Sequence, residues 1–173
     1  MNKTAIFYGP VGGSTESVAK KIQLLFGKDK CDLVAVRDAS ADDLTRYDNL
    51  IFGIATIGNE TWNSEPVKSG WFTFFNTLKE ATLDGKTVAF FGLGDQVRYA
   101  DHFVDAMGDL YEMMSEKDVR LIGSVDPSGY DFRDSKALVD GRFVGLPVDE
   151  DFDSDRTLQR ITSWVNELKS LLG

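Results

Sequence analysis

The chain carries one cysteine and one histidine among its 173 residues, and both scarcities exclude chemistry. With Cys31 alone, no internal disulfide and no thiolate metal cluster can form. A lone Cys beside an expected strand reads as a small core hydrophobe. His102 has no Ser or Cys partner at a nucleophile elbow, so triad-type hydrolysis is not expected. Basic residues are outnumbered, 19 Lys and Arg against 28 Asp and Glu, for a net charge of −9 and a pI near 4.6. The phosphates of nucleic acid or of an anionic membrane would repel that balance. It serves solubility, or a partner with a basic docking face. The carboxylates are scattered or in solvated runs. DEDFDSD at 149–155 lacks the Gly and closing Glu of a calcium loop, so no metal site is expected. No apolar run is long enough to span a bilayer, and no charged-then-apolar signal segment opens the chain. A cytoplasmic location follows as the default.

What is present alternates. An apolar content of 42% in 173 residues fits one domain, 1–173, with a full core. Thr4–Tyr8 reads as a buried strand, and Gly9–Gly13 as a Gly/Pro-rich break. Ser14 and Thr15 stand at a helix start, and Val18, Ile22, Leu25 and Phe26 recur at helical spacing. Further strands are read at Asp32–Val36, Asn49–Ala55, Thr87–Phe91 and Val119–Val125. Phe143-Val-Gly-Leu suggests a short strand inside an Asp/Gly/Pro-rich excursion, residues 126–152. Trp71, Phe72, Phe74, Phe75 and Leu78 make one helical face; Phe103, Met107, Leu110 and Tyr111 place another. A last helix over Ser154–Leu172 carries Leu158, Ile161, Trp164, Val165, Leu168 and Leu171 on one stripe. Strand and helix alternate five times, which predicts an α/β, doubly wound, parallel five-stranded sheet.

In such sheets ligands sit at the carboxyl ends of the strands. Three loops leave that end: residues 9–15, 56–70 and 92–102. The first aims backbone N–H groups and a positive helix end at one point, which suits a phosphate. Its spacing is neither a GxGxxG fingerprint nor a Walker loop, and such a turn serves as plain punctuation as readily as it cradles a ligand. Trp62 and Tyr99 supply π faces for a flat ring, or structural anchors. With no hydrolytic or metal machinery, a bound cofactor would have to carry the chemistry.

Several segments together carry a resemblance: IFYG-x5-TESVA at 6–19, TWN at 61–63, GKTVAFFGLGDQ at 85–96, YADHFVDAMG at 99–108 and GYDFRDSKALVDGRFVGLPVDED at 129–151. The chain resembles the long-chain flavodoxins, FMN electron carriers with a flavodoxin-like sheet of order 2-1-3-4-5. The resemblance implies FMN as cofactor and a low-potential one-electron carrier rather than an enzyme. It also implies redox partner proteins, such as a ferredoxin/flavodoxin-NADP reductase or a 2-oxoacid oxidoreductase, and a monomer. The phosphate would meet Val11, Gly12, Gly13, Ser14 and Thr15. Thr56 or Thr61, and Asp151, would lie by the ribityl chain. Trp62, with Asn63 beside it, and Tyr99 would enclose the flavin, alongside Leu93, Gly94, Asp95 and His102.

This sequence departs from the family pattern in four places. Pro10 and Gly12 replace hydroxyl residues of the phosphate loop; each lost charge-assisted bond costs about 1.5–3 kcal/mol, so weaker or rearranged FMN binding is expected. Five residues, Thr56-Ile57-Gly58-Asn59-Glu60, stand between Ala55 and Thr61-Trp62-Asn63, so that a gapless reading would put Ile57 on the flavin in place of Trp62. Arg98 stands for a glycine and His102 for an Asn. Two rival functions follow from the same residues: an FMN-dependent NAD(P)H or quinone reductase, and a non-redox binding module that has lost FMN.

Overall fold

The computed structural model describes residues 3–56 and 70–172. In chain order, β1 (Thr4–Gly9) leads into α1 (Ser14–Phe26), and β2 (Cys31–Ala35) into α2 (Ala41–Thr45). Next come β3 (Asn49–Ala55), α3 (Trp71–Glu80), β4 (Thr87–Leu93) and α4 (Asp105–Ser115). The chain continues through β5 (Arg120–Leu121), the pair β6 (Leu138–Val139) and β7 (Arg142–Phe143), β8 (Leu146–Val148) and α5 (Thr157–Leu172). The sheet is parallel with order β2-β1-β3-β4-β5, and β8 also pairs with β4. That is the predicted doubly wound architecture.

The central strands are apolar throughout because both faces are covered. Ala5 and Phe7 pack with Phe52, Phe90 and helices α3 and α4 on one side. Ile6 and Tyr8 pack with Ile51, Phe91 and helices α1 and α5 on the other. Rings fill the first layer: Phe7 stacks on Phe74 at 5.8 Å, and Trp71 meets Phe52 edge-on at 6.1 Å. The Trp71 indole N–H donates to the Gly53 carbonyl at 3.0 Å. Cys31 is buried as expected, and burial pushes its thiol up to about 12.

The fifth strand position departs from expectation. Val119–Val125 does not form one strand: β5 covers only the start of β4, Thr87 and Val88, and β8 covers its end, Phe91 to Leu93. The chain leaves the sheet at Gly123, whose φ of +87 turns it away, and whose carbonyl accepts the Trp164 indole N–H at 2.8 Å. It returns after the β6–β7 hairpin. Phe143 and Leu146, expected in one strand, therefore belong to β7 and β8. The excursion is pinned by rings, with Phe132–Phe143 at 5.0 Å and Phe103–Phe132 at 5.7 Å.

Smaller corrections follow from packing. Val36 opens a 3₁₀ turn rather than closing β2, and residues Ser154–Arg156 form a 3₁₀ turn before α5. Ile161, Trp164, Val165 and Leu168 are buried, whereas Leu158 is 62% and Phe72 45% exposed. The apolar stripe is wider than the strip of sheet that each helix covers.

Beside the excursion, a cleft of about 470 Å³ is lined by Arg142, Arg156, Arg160 and Tyr130. Its arginines serve the fold: Arg142 donates to Ser124, and Arg156 and Arg160 donate to the Gly129 carbonyl. Arg160 also lies 3.9 Å from the centre of the Tyr130 ring and pairs with Asp153 at 2.9 Å.

Helix α4 meets the excursion closely at Gly108, where a Cβ would stand 2.5 Å from the Lys136 backbone. Overpacking costs about 1–3 kcal/mol, more than the helix propensity that alanine adds. Gly108→Ala is therefore expected to lower the urea midpoint of unfolding. An unchanged midpoint would show that helix and excursion do not meet this tightly.

Candidate functional site

Strand register brings the three loops to one edge. Gly9 pairs with Ile54, Ala55 with Leu93, and Leu93 with Val148, so β1, β3, β4 and β8 end side by side. Each loop starts where its strand's pairing stops.

The first loop runs from Gly9 to the start of α1. Gly12 holds a φ of +88, and Gly13 is the extended N-cap residue, with no side-chain capping hydrogen bond. Gly13 thus offers no side-chain acceptor to the first N–H groups of the helix, an arrangement that suits anion binding. Among the described residues, no atom lies within 4 Å of where a Cβ on Gly12 or Gly13 would be, so both face open space there. Ser14 is exposed and Val11 half-buried, while Thr15 is 2% exposed under the loop. Glu16, in the first turn, takes hydrogen bonds from Lys20 at 3.3 Å and Tyr8 at 3.2 Å. The Lys20 bond, with help from Tyr8 and Gly12, holds its carboxyl below the usual range.

The second loop begins at Thr56, whose N–H donates to the Leu93 carbonyl at 2.9 Å. Its hydroxyl accepts from the Ala106 N–H at 2.9 Å and so caps α4 from a different strand. Thr61, Trp62 and Asn63, and with them the choice between Trp62 and Ile57, lie outside the described residues.

The third loop turns on Asp95, whose Oδ1 accepts from Val97 N at 3.1 Å and Arg98 N at 2.7 Å. Tyr99 N then donates to the Asp95 carbonyl at 3.1 Å, closing the turn and leaving the Tyr99 ring half-exposed. Gly94 N donates to the Val148 carbonyl at 3.1 Å. His102 Nδ1 lies 3.0 Å from Oδ2 of Asp105, itself 3% exposed. Asp151 is exposed; partial burial first, then Asp95 and Asp149, raise its carboxyl above the usual range, while Arg98 opposes the rise. Leu93, Gly94, Asp95, Tyr99 and Asp151 thus share one rim.

Two residues of this rim escape a reading by residue type. Asp149 stands in the acidic run taken as solvated, yet it is fully buried, and Gln96 is 4% exposed. Polar residues in a polar stretch carry no mark of burial; only the partners described below distinguish them.

A doubly wound parallel sheet with an uncapped helix start and further loops leaving the same strand ends defines a switch-point α/β protein, a class that binds ligands at this edge. A family model for flavodoxins matches residues 6–164. The chain is 46% identical over 171 residues to the flavodoxin of Nostoc sp. strain PCC 7120, covering 99% of this chain and 98% of that one. It is 39% identical over 170 residues to flavodoxin 1 of Escherichia coli K12, covering 98% and 94%. Among solved structures, Fusobacterium nucleatum flavodoxin bound to flavin mononucleotide superposes with a TM-score of 0.88 at 25% identity, covering 98% of both chains. The chain belongs to the flavodoxin family.

The Thr56 cap generates a stability prediction. Replacing a capping hydroxyl costs about 0.5–2 kcal/mol, and valine keeps the shape. Thr56→Val is expected to lower stability by that amount in denaturant unfolding. No loss would show that the hydroxyl does not cap α4.

Proposed function

We propose that this protein is a low-potential one-electron carrier that holds FMN non-covalently at the carboxyl ends of β1, β3 and β4, and that it is not itself an enzyme. The observation that carries the reading is the open, uncapped start of α1 behind Gly12 and Gly13. It lies at the strand edge where the Tyr99 turn also sits, in a chain 39–46% identical to flavodoxins over nearly its whole length. When bound, the flavin supplies the electron chemistry. The protein binds and orients it.

In this reading the N–H groups from Val11 to Thr15, with the Ser14 and Thr15 hydroxyls, hold the phosphate. Thr56 or Thr61, and Asp151, border the ribityl chain, and Tyr99 covers one ring face with Trp62 and Asn63 on the other. Leu93, Gly94, Asp95 and His102 line the remaining edge. His102 reaches it as an Asp105-paired ring. With Pro10 and Gly12 in place of hydroxyls, affinity rests on backbone amides and the helix end. The partners are redox proteins, such as a ferredoxin/flavodoxin-NADP reductase or a 2-oxoacid oxidoreductase, met in the cytoplasm by a monomer. A net charge of −9 steers a basic face toward it, and salt screens that attraction.

Freshly purified protein is expected to show flavin absorption, and its apo form to bind FMN with a submicromolar constant. It is expected not to oxidise NAD(P)H alone, and to exchange electrons with a basic-faced reductase more slowly as salt rises. A colourless protein that cannot be reconstituted would overturn the reading, and NAD(P)H turnover by the isolated protein would make it a reductase.

Arg98 is exposed in the turn next to Tyr99. A cation there favours the negatively charged, reduced flavin. Arg98→Gly is expected to shift the lower of the two one-electron potentials negative in a redox titration; an unmoved potential would make Arg98 a solvent-facing bystander.

A further inference from the structure

Asp149 follows β8 directly, and its carboxylate is fully buried. It accepts N–H bonds from two separate segments: Gln96 N at 3.1 Å on one side, Asp151 N at 3.0 Å and Phe152 N at 2.9 Å on the other. The Gln96 side chain continues the tie. Its Oε1 accepts from Asp131 N at 2.6 Å, and its amide lies 3.5 Å from Oδ2 of Asp153. Among the described residues, the Asp95 side chain bonds by contrast within its own turn, to Val97 and Arg98. Asp95 shapes the turn that carries Tyr99. Asp149 and Gln96 decide where that turn stands relative to β8, the excursion and Asp151.

We infer that Asp149 and Gln96 are positioning residues for the flavin, strapping the Tyr99 turn to residues 131 and 148–153, and that Asp149 also sets the reduction potential by holding a buried negative charge behind the turn. The inference rests on the proposed placement of FMN at this turn. The two residues act by different physics. Gln96 is neutral, so its loss loosens the turn around either redox form alike. Asp149 carries a charge in a low-dielectric place, where it opposes an added electron on the ring more strongly than it would in water. Asn at 149 removes that charge and turns one acceptor oxygen into a donor amide that cannot face a backbone N–H.

The experiment measures FMN affinity and the lower one-electron potential in the full chain, in Asp149→Asn, Asp149→Glu and Gln96→Ala, with the exposed Asp155→Asn as control. FMN binding by the unaltered chain tests the placement itself, so a failure there is separate from a failure of the strap. Asp149→Asn is expected to weaken the oxidised and semiquinone forms of FMN about tenfold, the loss of one to two net hydrogen bonds, and to weaken the hydroquinone less. The lower potential then moves positive, by about 59 mV for each tenfold difference between the semiquinone and hydroquinone affinities. Asp149→Glu keeps the charge and is expected to weaken both forms while leaving the potential near its starting value. Gln96→Ala is expected to weaken both forms about threefold without moving the potential. Equal weakening of both forms in Asp149→Asn would overturn the potential-setting role, because a purely structural residue moves both alike. Affinities within about twofold of the unaltered chain in both Asp149→Asn and Gln96→Ala would overturn the strap. If Asp149→Asn does not fold, the Gln96→Ala affinity decides the strap and the Asp149→Glu potential decides the charge: a large shift in that potential overturns it.

Discussion

The parallel register of β1, β3 and β4 is the constraint on which the rest depends. Parallel strands cannot be joined by tight hairpins, so each must be followed by a crossover, and each crossover begins at the same edge of the sheet. Here the pairings of Gly9 with Ile54 and Ala55 with Leu93 bring the first residues of three loops level. Both faces of these strands are buried under helices.

The electrostatics of that edge are local rather than global. The chain is strongly acidic, yet the start of α1 has no side-chain cap from Gly13 and carries a partial positive charge. Glu16 sits at the same helix end, where its carboxylate complements the dipole and is held by Lys20 and Tyr8. Arg142, Arg156 and Arg160, gathered in one cleft, spend their donors on Ser124 and Gly129 carbonyls and on Asp153. The positive charges clustered in this cleft hold the excursion.

The excursion and the site are mechanically one unit. Gly123 sends the chain out of the sheet, Trp164 takes its carbonyl, and β8 brings the chain back beside the end of β4. The returning segment then delivers Asp149 and Asp151 to the rim. Interrupting the fifth strand is therefore what allows carboxylates to stand next to the Tyr99 turn.

Much of this was legible in the residues. NLIFGIA and TVAFF declare strands covered on both sides, because only such strands lack a polar alternate position. Glycines between strand and helix mark the first loop, and several short segments together carry the family. Other features required the tertiary structure. Val119–Val125 has the composition of a full strand, yet the chain leaves the sheet at Gly123, where φ is positive and the carbonyl takes the Trp164 N–H. Leu158 completes a helical stripe whose outer edge meets water, since stripe width is a property of sequence and covered width a property of packing. The Thr56 hydroxyl caps a helix 50 residues away, and Asp149 hides within an acidic run. Periodicity and composition record how each segment meets water or core on average; which polar atom meets which across the chain is decided only when the strands are in register.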